Sequence, residues 1–92
     1  CMYSSNTGNY VFVNDKSGLY QQYKISEDNE KITGKLVREF NLPSQPEGCS
    51  ADDELGQLFV GEEDAGIWFI GAEPTAGSTP VMLQGINECT YL

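Results

Sequence analysis

Short apolar runs separated by polar, glycine-containing turns dominate the chain and predict β-strands. These runs are rich in aromatic and β-branched residues, which strands favour. The predicted strands cover residues 10–13, 19–25, 35–42, 57–60, 67–71 and 81–83. Residues 26–34 are polar and residues 72–80 are rich in glycine, proline and small side chains, so both segments are predicted to be loops. No window shows a sustained helical period, and the predicted class is all-β.

The chain contains an internal repeat, because residues 1–20 align with residues 49–68 without a gap. The offset of 48 residues places Cys1 on Cys49, Gly8 on Gly56 and Gly18 on Gly66. The predicted units are residues 1–48 and 49–88, and a third set of strands is predicted to begin in residues 89–92.

A repeat of this length is typical of a β-propeller blade, which has four short strands. The alternative is a β-sandwich made of two similar halves. A propeller needs roughly 4–8 blades to close its ring, and about two are predicted here. The chain is therefore expected either to be a piece of a larger propeller or to assemble from copies. Its first residue, Cys1 rather than methionine, favours a processed form or a piece of a longer protein.

The charge balance predicts partners that are cations, or anions reached through cations. The chain of 92 residues has 14 acidic and five basic residues, no histidine and a formal net charge of −9. Nucleic acids and anionic membranes are bound through basic patches, so neither is an expected partner. No apolar run approaches the roughly 20 residues of a membrane span, and no signal peptide is recognisable.

The three cysteines, Cys1, Cys49 and Cys89, predict neither a zinc site nor a disulfide framework. Their number is odd and no two are spaced as a metal-binding pair. The expectation is that they are free, buried and hydrophobic in character. The cellular compartment cannot be inferred from them.

Half of the 14 acidic residues lie between Glu47 and Asp64, where no basic residue occurs. Such a cluster is either a solvated rim or a cation site, because crowded carboxylates repel one another unless a cation offsets them. Calcium suits oxygen ligands and needs no histidine. The spacing differs from an EF-hand loop, so any site must be assembled from different strands.

The repeat predicts which polar turns share one rim. Lys16 superposes on Asp64, so the first polar turn is expected to face the same opening as residues 62–64. Glu62 and Glu63 alternate along the strand, and Glu63 is the one expected to face the axis. Asp52, Asp53 and Glu54 are interpreted as hairpin acids that precede Gly56.

The segments EGC, ADDE, G, L, V, EED and GIW follow one another between residues 47 and 68, and AEP follows at residues 72–74. With these segments the chain resembles the β-propeller phytases over residues 1–74. That family is described as calcium-dependent, six-bladed enzymes that remove phosphates from myo-inositol hexakisphosphate. The resemblance weakens beyond residue 80. There the family has an Asp-x-Glu-Gly step, and the sequence Ile-Asn-Glu-Cys at residues 86–89 lacks both the aspartate and the glycine.

The resemblance implies roles for four residues. Glu47 and Glu63 match acids that hold active-site calcium, with Glu63 also the catalytic position, and Lys16 matches a lysine that contacts substrate phosphate. Glu88 is implied as a further calcium ligand, although the residues around it lack the aspartate and the glycine of the family's motif. Lys16 could instead be an ordinary turn lysine, and Arg38 is interpreted as a surface residue without a role.

The implied function is metal-assisted hydrolysis of phytate phosphomonoesters by a calcium-activated water, with the remaining blades of the propeller as partners. The family implies a secreted or periplasmic protein. One alternative is a non-catalytic, calcium-stabilised propeller piece used for binding. Another is that these 92 residues, taken alone, have no activity.

Overall fold

The two halves of the chain form two separate antiparallel sheets of four strands each. The computed structural model describes residues 1–43, 46–62 and 66–85. The first sheet contains β1 (Met2–Ser5), β2 (Gly8–Asn14), β3 (Leu19–Asp28) and β4 (Lys31–Asn41). The second contains β5 (Pro46–Asp52), β6 (Gln57–Glu62), β7 (Gly66–Gly71) and β8 (Val81–Gly85). In each sheet the strand order follows the chain order.

This architecture confirms the all-β prediction and fits two blades of a β-propeller. The described residues contain no helix, so none of them forms a helix that could span a membrane. Gly8 and Gly56 occupy equivalent places between the first and second strand of each sheet, and both have positive φ, at 146° and 65°. Glycine adopts such values without steric cost. The division into repeats at residues 48 and 49 stays a prediction, and β5 spans that point.

Two strands lie outside the predicted set, and one predicted loop is wrong. Residues 2–5 and 46–52 form β1 and β5 although they contain serine, glycine, proline and aspartate, which strands disfavour. Residues 26–34 were predicted to be a loop, but β3 and β4 continue through them to a tight turn at Asn29 and Glu30. Both turn residues have positive φ, at 50° and 68°. The predicted loop at residues 72–80 is confirmed.

One hydrophobic core lies between the sheets, and both contribute to it. Buried residues alternate along parts of β2, β3, β4 and β6, as expected for a sheet with one face covered. The buried hydrophobic residues are Tyr3, Tyr10, Phe12, Tyr20, Phe40 and Leu42 in the first half and Leu58, Val60, Ile70 and Ala72 in the second. The Tyr20 and Phe40 rings stack with centroids 5.3 Å apart. Burial raises the pKa of the Tyr20 hydroxyl.

A disulfide joins Cys1, the residue before β1, to Cys49 on β5, and their Cα atoms are 6.0 Å apart. The expectation of free cysteines is therefore wrong for this pair. The two residues are equivalent in the repeat, and the sheets pack so that these equivalent positions meet. Cys89 lies outside the described residues.

Candidate functional site

Glu47 lies on a β-bulge at the start of β5. Pro46 pairs with Glu62 and Gly48 pairs with Gly61, so Glu47 is an extra residue that has no partner on β6. Its side chain is exposed and makes no hydrogen bond or ion pair within the described parts of the chain. Bulges turn a side chain away from the regular pleat and are frequent beside active sites. The structure thus presents the Glu47 carboxylate to solvent, available to a ligand.

Glu62, at the end of β6, is a buried carboxylate beside this bulge. Only 5% of its surface is exposed, and its Oε1 accepts a hydrogen bond of 3.1 Å from the indole Nε1 of Trp68 on β7. The sequence analysis chose Glu63 rather than Glu62 to face the axis. Glu63 lies outside the described residues, so that choice stays a prediction.

Lys16 occupies the turn between β2 and β3, which is shaped by Asp15. The Asp15 Oδ1 accepts hydrogen bonds from Ser17 N, Ser17 Oγ and Leu19 N at 2.8, 2.7 and 3.1 Å. The bonds from the Ser17 side chain and backbone hold the pKa of Asp15 below its usual value. Lys16 is exposed and makes no hydrogen bond or ion pair with the rest of the described chain. An anionic group could therefore reach its ammonium.

The structure brings Glu47 and the end of β6 together but leaves the rest of the predicted site open. Glu47 follows Pro46, which pairs with Glu62, and residues 62–64 align in the sequence repeat with residues 14–16. Glu63 and Glu88 lie outside the described residues. Within residues 1–43, 46–62 and 66–85, no three acidic, histidine or cysteine side chains come together as a metal site. Glu47 is thus one potential ligand and not a complete site.

Glu73 forms a contact between the sheets that the sequence analysis did not identify as a site. Its carboxylate accepts hydrogen bonds from Tyr3 Oη and Ser5 Oγ, both at 2.6 Å, and from Thr7 Oγ1 at 2.7 Å. These bonds, from Ser5 first and then Tyr3 and Thr7, lower the pKa of Glu73. The bond to Glu73 is also the main reason that the pKa of Tyr3 is raised. The carboxylate is engaged in holding the loop at residues 72–80 to the first sheet.

The interpretation of Arg38 as a surface residue is wrong, because only 8% of its surface is exposed. Its Nε donates to Gln22 Oε1 at 2.9 Å and its Nη1 donates to the Gly77 carbonyl at 3.0 Å. The guanidinium carbon lies 5.2 Å from the centre of the Phe40 ring and 6.0 Å from that of Phe12. Burial lowers the pKa of Arg38, and the charge of Glu73 acts in the opposite direction. Its contacts are structural.

A shallow groove lies on the outer face of the second sheet next to Glu47. It is lined by Gly48, Cys49, Ser50, Phe59, Gly61 and Ile67. No lining side chain carries a charge, so the groove suits an apolar surface rather than a phosphate.

Some of the missed features had a signal in the sequence. The alignment of Cys1 on Cys49 placed the disulfide partners at equivalent positions of adjacent repeats. Glu73 was part of the segment that carries the family resemblance. Arg38 gave no local signal, because an arginine in a strand of alternating polarity is usually exposed, and here a loop from the other sheet covers it.

Comparison with known proteins gives a family and a close relative. The sequence profile of the family described as Phytase matches residues 1–89. A 3-phytase from Bacillus subtilis (strain 168) is 49% identical over 78 residues, which cover 83% of this chain and 20% of the relative. The chain thus spans about a fifth of the length of the curated relative that it matches.

Proposed function

The chain belongs to the phytase family, and from that premise we propose that it forms part of an enzyme that hydrolyses the phosphomonoesters of myo-inositol hexakisphosphate. The observation that carries the proposal is Glu47 on its bulge, exposed and without a partner in the described part of the chain, within a match that covers residues 1–89. In this proposal the chain supplies about two blades, and further blades of the same propeller are its partners.

We propose calcium as the metal, because the acidic cluster offers oxygen ligands and the chain has no histidine. Glu47 fits as a ligand because its carboxylate is exposed and has no hydrogen bond or ion pair to the residues that the structure describes. Glu63 and Glu88 are proposed as further ligands, with Glu63 also the catalytic position. When bound, the ion offsets the phosphate charge and lowers the pKa of a coordinated water.

Lys16 is proposed to bind a substrate phosphate oxygen through its ammonium, which acts as a compact point charge. Its exposure supports this role, as does the lack of a partner for it among residues 1–43, 46–62 and 66–85. The ordered turn built on Asp15 restricts where the Lys16 backbone can lie. The side chain therefore needs little rearrangement of the main chain to meet a phosphate.

A secreted or periplasmic location is also proposed, and the Cys1–Cys49 disulfide supports it. Disulfides form and persist mainly in oxidising compartments.

The test is phosphate release from phytate by the full-length protein, in calcium and in chelator. Lys16→Ala is expected to lower turnover by about 10–100-fold, or about 1.4–2.7 kcal/mol, and to leave calcium affinity unchanged. Glu47→Gln is expected to lower both the turnover of phytate and the affinity for calcium. Lys31→Ala, which removes an exposed lysine of the β3–β4 hairpin, is the matched control and should change neither.

Two outcomes would contradict the proposal. Full activity in Lys16→Ala would reduce that residue to a surface lysine. Calcium binding without any phosphate release would favour a calcium-stabilised binding module over an enzyme.

A further inference from the structure

The buried carboxylate of Glu62 is not required by the repeat. Its equivalent in the first sheet is Asn14, which is exposed and donates to the neighbouring Asp15 carbonyl at 3.4 Å. A carboxylate is costly to bury unless hydrogen bonds compensate for its lost hydration. The end of β2 thus forms with an exposed amide, that of Asn14. The burial of Glu62 at the end of β6 must therefore depend on the residues around it.

Trp68 reaches Glu62 through a diagonal arrangement across two strands. Trp68 pairs with Val60, and Glu62, two residues further along β6, pairs with Gly66. Diagonal neighbours on one face are about 7–8 Å apart, which a long aromatic side chain can span. Gly66 has no side chain of its own to fill the position opposite Glu62, so the indole can lean across it and donate its N–H to the carboxylate.

The same carboxylate is linked through strand pairing to the Glu47 bulge. On its other side Glu62 pairs with Pro46, the buried residue that precedes Glu47. The next pair is Gly48 with Gly61, so the bulge is confined between two fixed pairs. Gly48 has open space where a side chain would lie, and neither Gly48 nor Gly61 has a side chain to hold this end by packing. The Pro46–Glu62 pair is therefore the constraint that fixes where Glu47 leaves the sheet.

We propose that Glu62 and Trp68 are positioning residues for the calcium ligand Glu47. The indole N–H fixes the Glu62 side chain, this holds the end of β6 against Pro46, and the bulge then presents the Glu47 carboxylate in one direction. Glu62 itself does not touch the ion. The inference rests on the proposed function, because it takes Glu47 as a ligand.

The test compares calcium affinity in the full-length protein by calorimetric titration. Trp68→Phe removes the N–H donor and keeps an aromatic ring, and Glu62→Met removes the acceptor at similar volume. Each is expected to weaken calcium binding about 10-fold, the lower end of the effect of residues that orient metal ligands. The double variant should lose less than the sum of the two single variants, because both remove the hydrogen bond between Trp68 and Glu62. Glu62→Gln keeps an acceptor oxygen and should retain nearly the original affinity.

Two further measurements separate positioning from general destabilisation. Phytate hydrolysis by Trp68→Phe should recover at saturating calcium, since only the affinity is reduced. Tyr23→Phe, which removes a hydrogen bond of 3.0 Å to Gln21 in the first sheet, should leave calcium affinity unchanged. Urea unfolding in chelator reports the stability of each variant without calcium.

The outcomes distinguish this inference from the proposed function. Unchanged affinity in both Trp68→Phe and Glu62→Met, while Glu47→Gln binds weakly, overturns the positioning role alone. A loss in Glu62→Gln as large as in Glu47→Gln also overturns it, because Glu62 would then be a ligand. Unchanged affinity in Glu47→Gln overturns the calcium site and the positioning role together.

Discussion

At the scale of single residues, Glu73 shows how hydroxyl groups stabilise a carboxylate between two sheets. Tyr3, Ser5 and Thr7 all come from β1 and the turn after it, and each donates to one of the two Glu73 oxygens. A charged acceptor makes stronger hydrogen bonds than a neutral one. The interaction therefore depends on Glu73 being ionised.

Glu73→Gln is expected to lower the free energy of unfolding by about 1 kcal/mol at neutral pH, a value reduced for the partial exposure of the group. The folded-state pKa of Glu73 is lowered from 4.5. The stabilisation that ionised Glu73 provides is therefore complete above about pH 4.5, the pKa of the group in the unfolded chain. It is lost as the pH falls through the lower pKa of the folded protein. Urea unfolding at a series of pH values should show the difference between wild type and variant shrinking below about pH 4.5.

Glu54→Gln serves as the charge-matched control, because Glu54 is exposed and its side chain makes no hydrogen bond within the described chain. It should leave stability unchanged at neutral pH. A Glu73→Gln difference that stays constant down to pH 3 would show that the charge of Glu73 is not what the hydroxyl groups stabilise.

At the scale of elements, the loop at residues 72–80 is also fixed to the first sheet by two side chains of β3 and β4, which bind its backbone. Gln22 donates to the Ala72 carbonyl at 2.7 Å, and Arg38 donates to the Gly77 carbonyl and to Gln22. A loop buries its backbone only where such partners satisfy it. Arg38 and Gln22, paired across β3 and β4, thus act as one unit against the loop.

Arg38→Lys is expected to lower the free energy of unfolding by about 2–3 kcal/mol, because an ammonium cannot serve Gln22 and Gly77 together or stack on Phe40 as the planar guanidinium does. Urea unfolding measures the loss. Lys35→Arg, an exposed change elsewhere on β4, is the control. Equal stability of Arg38→Lys and wild type would mean that the loop does not depend on the guanidinium.

The sequence predicted those elements whose own residues favour strands and missed those that other parts of the chain impose. β2, β3, β6 and β7 contain aromatic and β-branched residues, and all four were predicted. β1 and β5 have weak strand propensity and form because each pairs with a stronger neighbour. The burial of Arg38 depends on Gly77, which is 39 residues away, and no local pattern reports such a contact.

In the candidate site too, the sequence predicted what local residues determine and missed what strand pairing determines. The Glu47 bulge depends on the pairing register of β5 with β6, and a one-residue difference in register is not visible in the sequence of β5 alone. Lys16 was predicted in an exposed turn because Asp15, Ser17 and Gly18 have strong turn preferences. Glu63 and Glu88 rest on the family resemblance and stay predictions.

At the scale of the whole molecule, a disulfide adds a covalent link between the two sheets to their shared core and hydrogen bonds. The Cys1–Cys49 disulfide closes a segment of 48 residues that includes the entire first sheet. Cross-linking a segment of this length restricts the unfolded chain and stabilises the folded state by about 4 kcal/mol in the chain-entropy description.

Replacing Cys1 and Cys49 together by alanine is therefore expected to cost up to about 4 kcal/mol of unfolding free energy. Urea unfolding of the double variant gives the value, and peptide mapping without reductant confirms the pairing in the wild type. Reductant should destabilise the wild type and leave the double variant unaffected. Recovery of both peptides with free thiols from the untreated protein would refute the pairing.

The meander order of the strands also determines the sequence of events during synthesis. Every hydrogen-bonded strand pair in both sheets joins consecutive strands, so each can form as soon as its second strand has left the ribosome. Translation adds about 5–20 residues per second, whereas a hairpin closes in about 1–10 μs. We therefore expect the first sheet to be paired before the second is translated. Until residues 72–77 are synthesised, Gln22 and Arg38 would lack the Ala72 and Gly77 carbonyls that they bind in the folded protein.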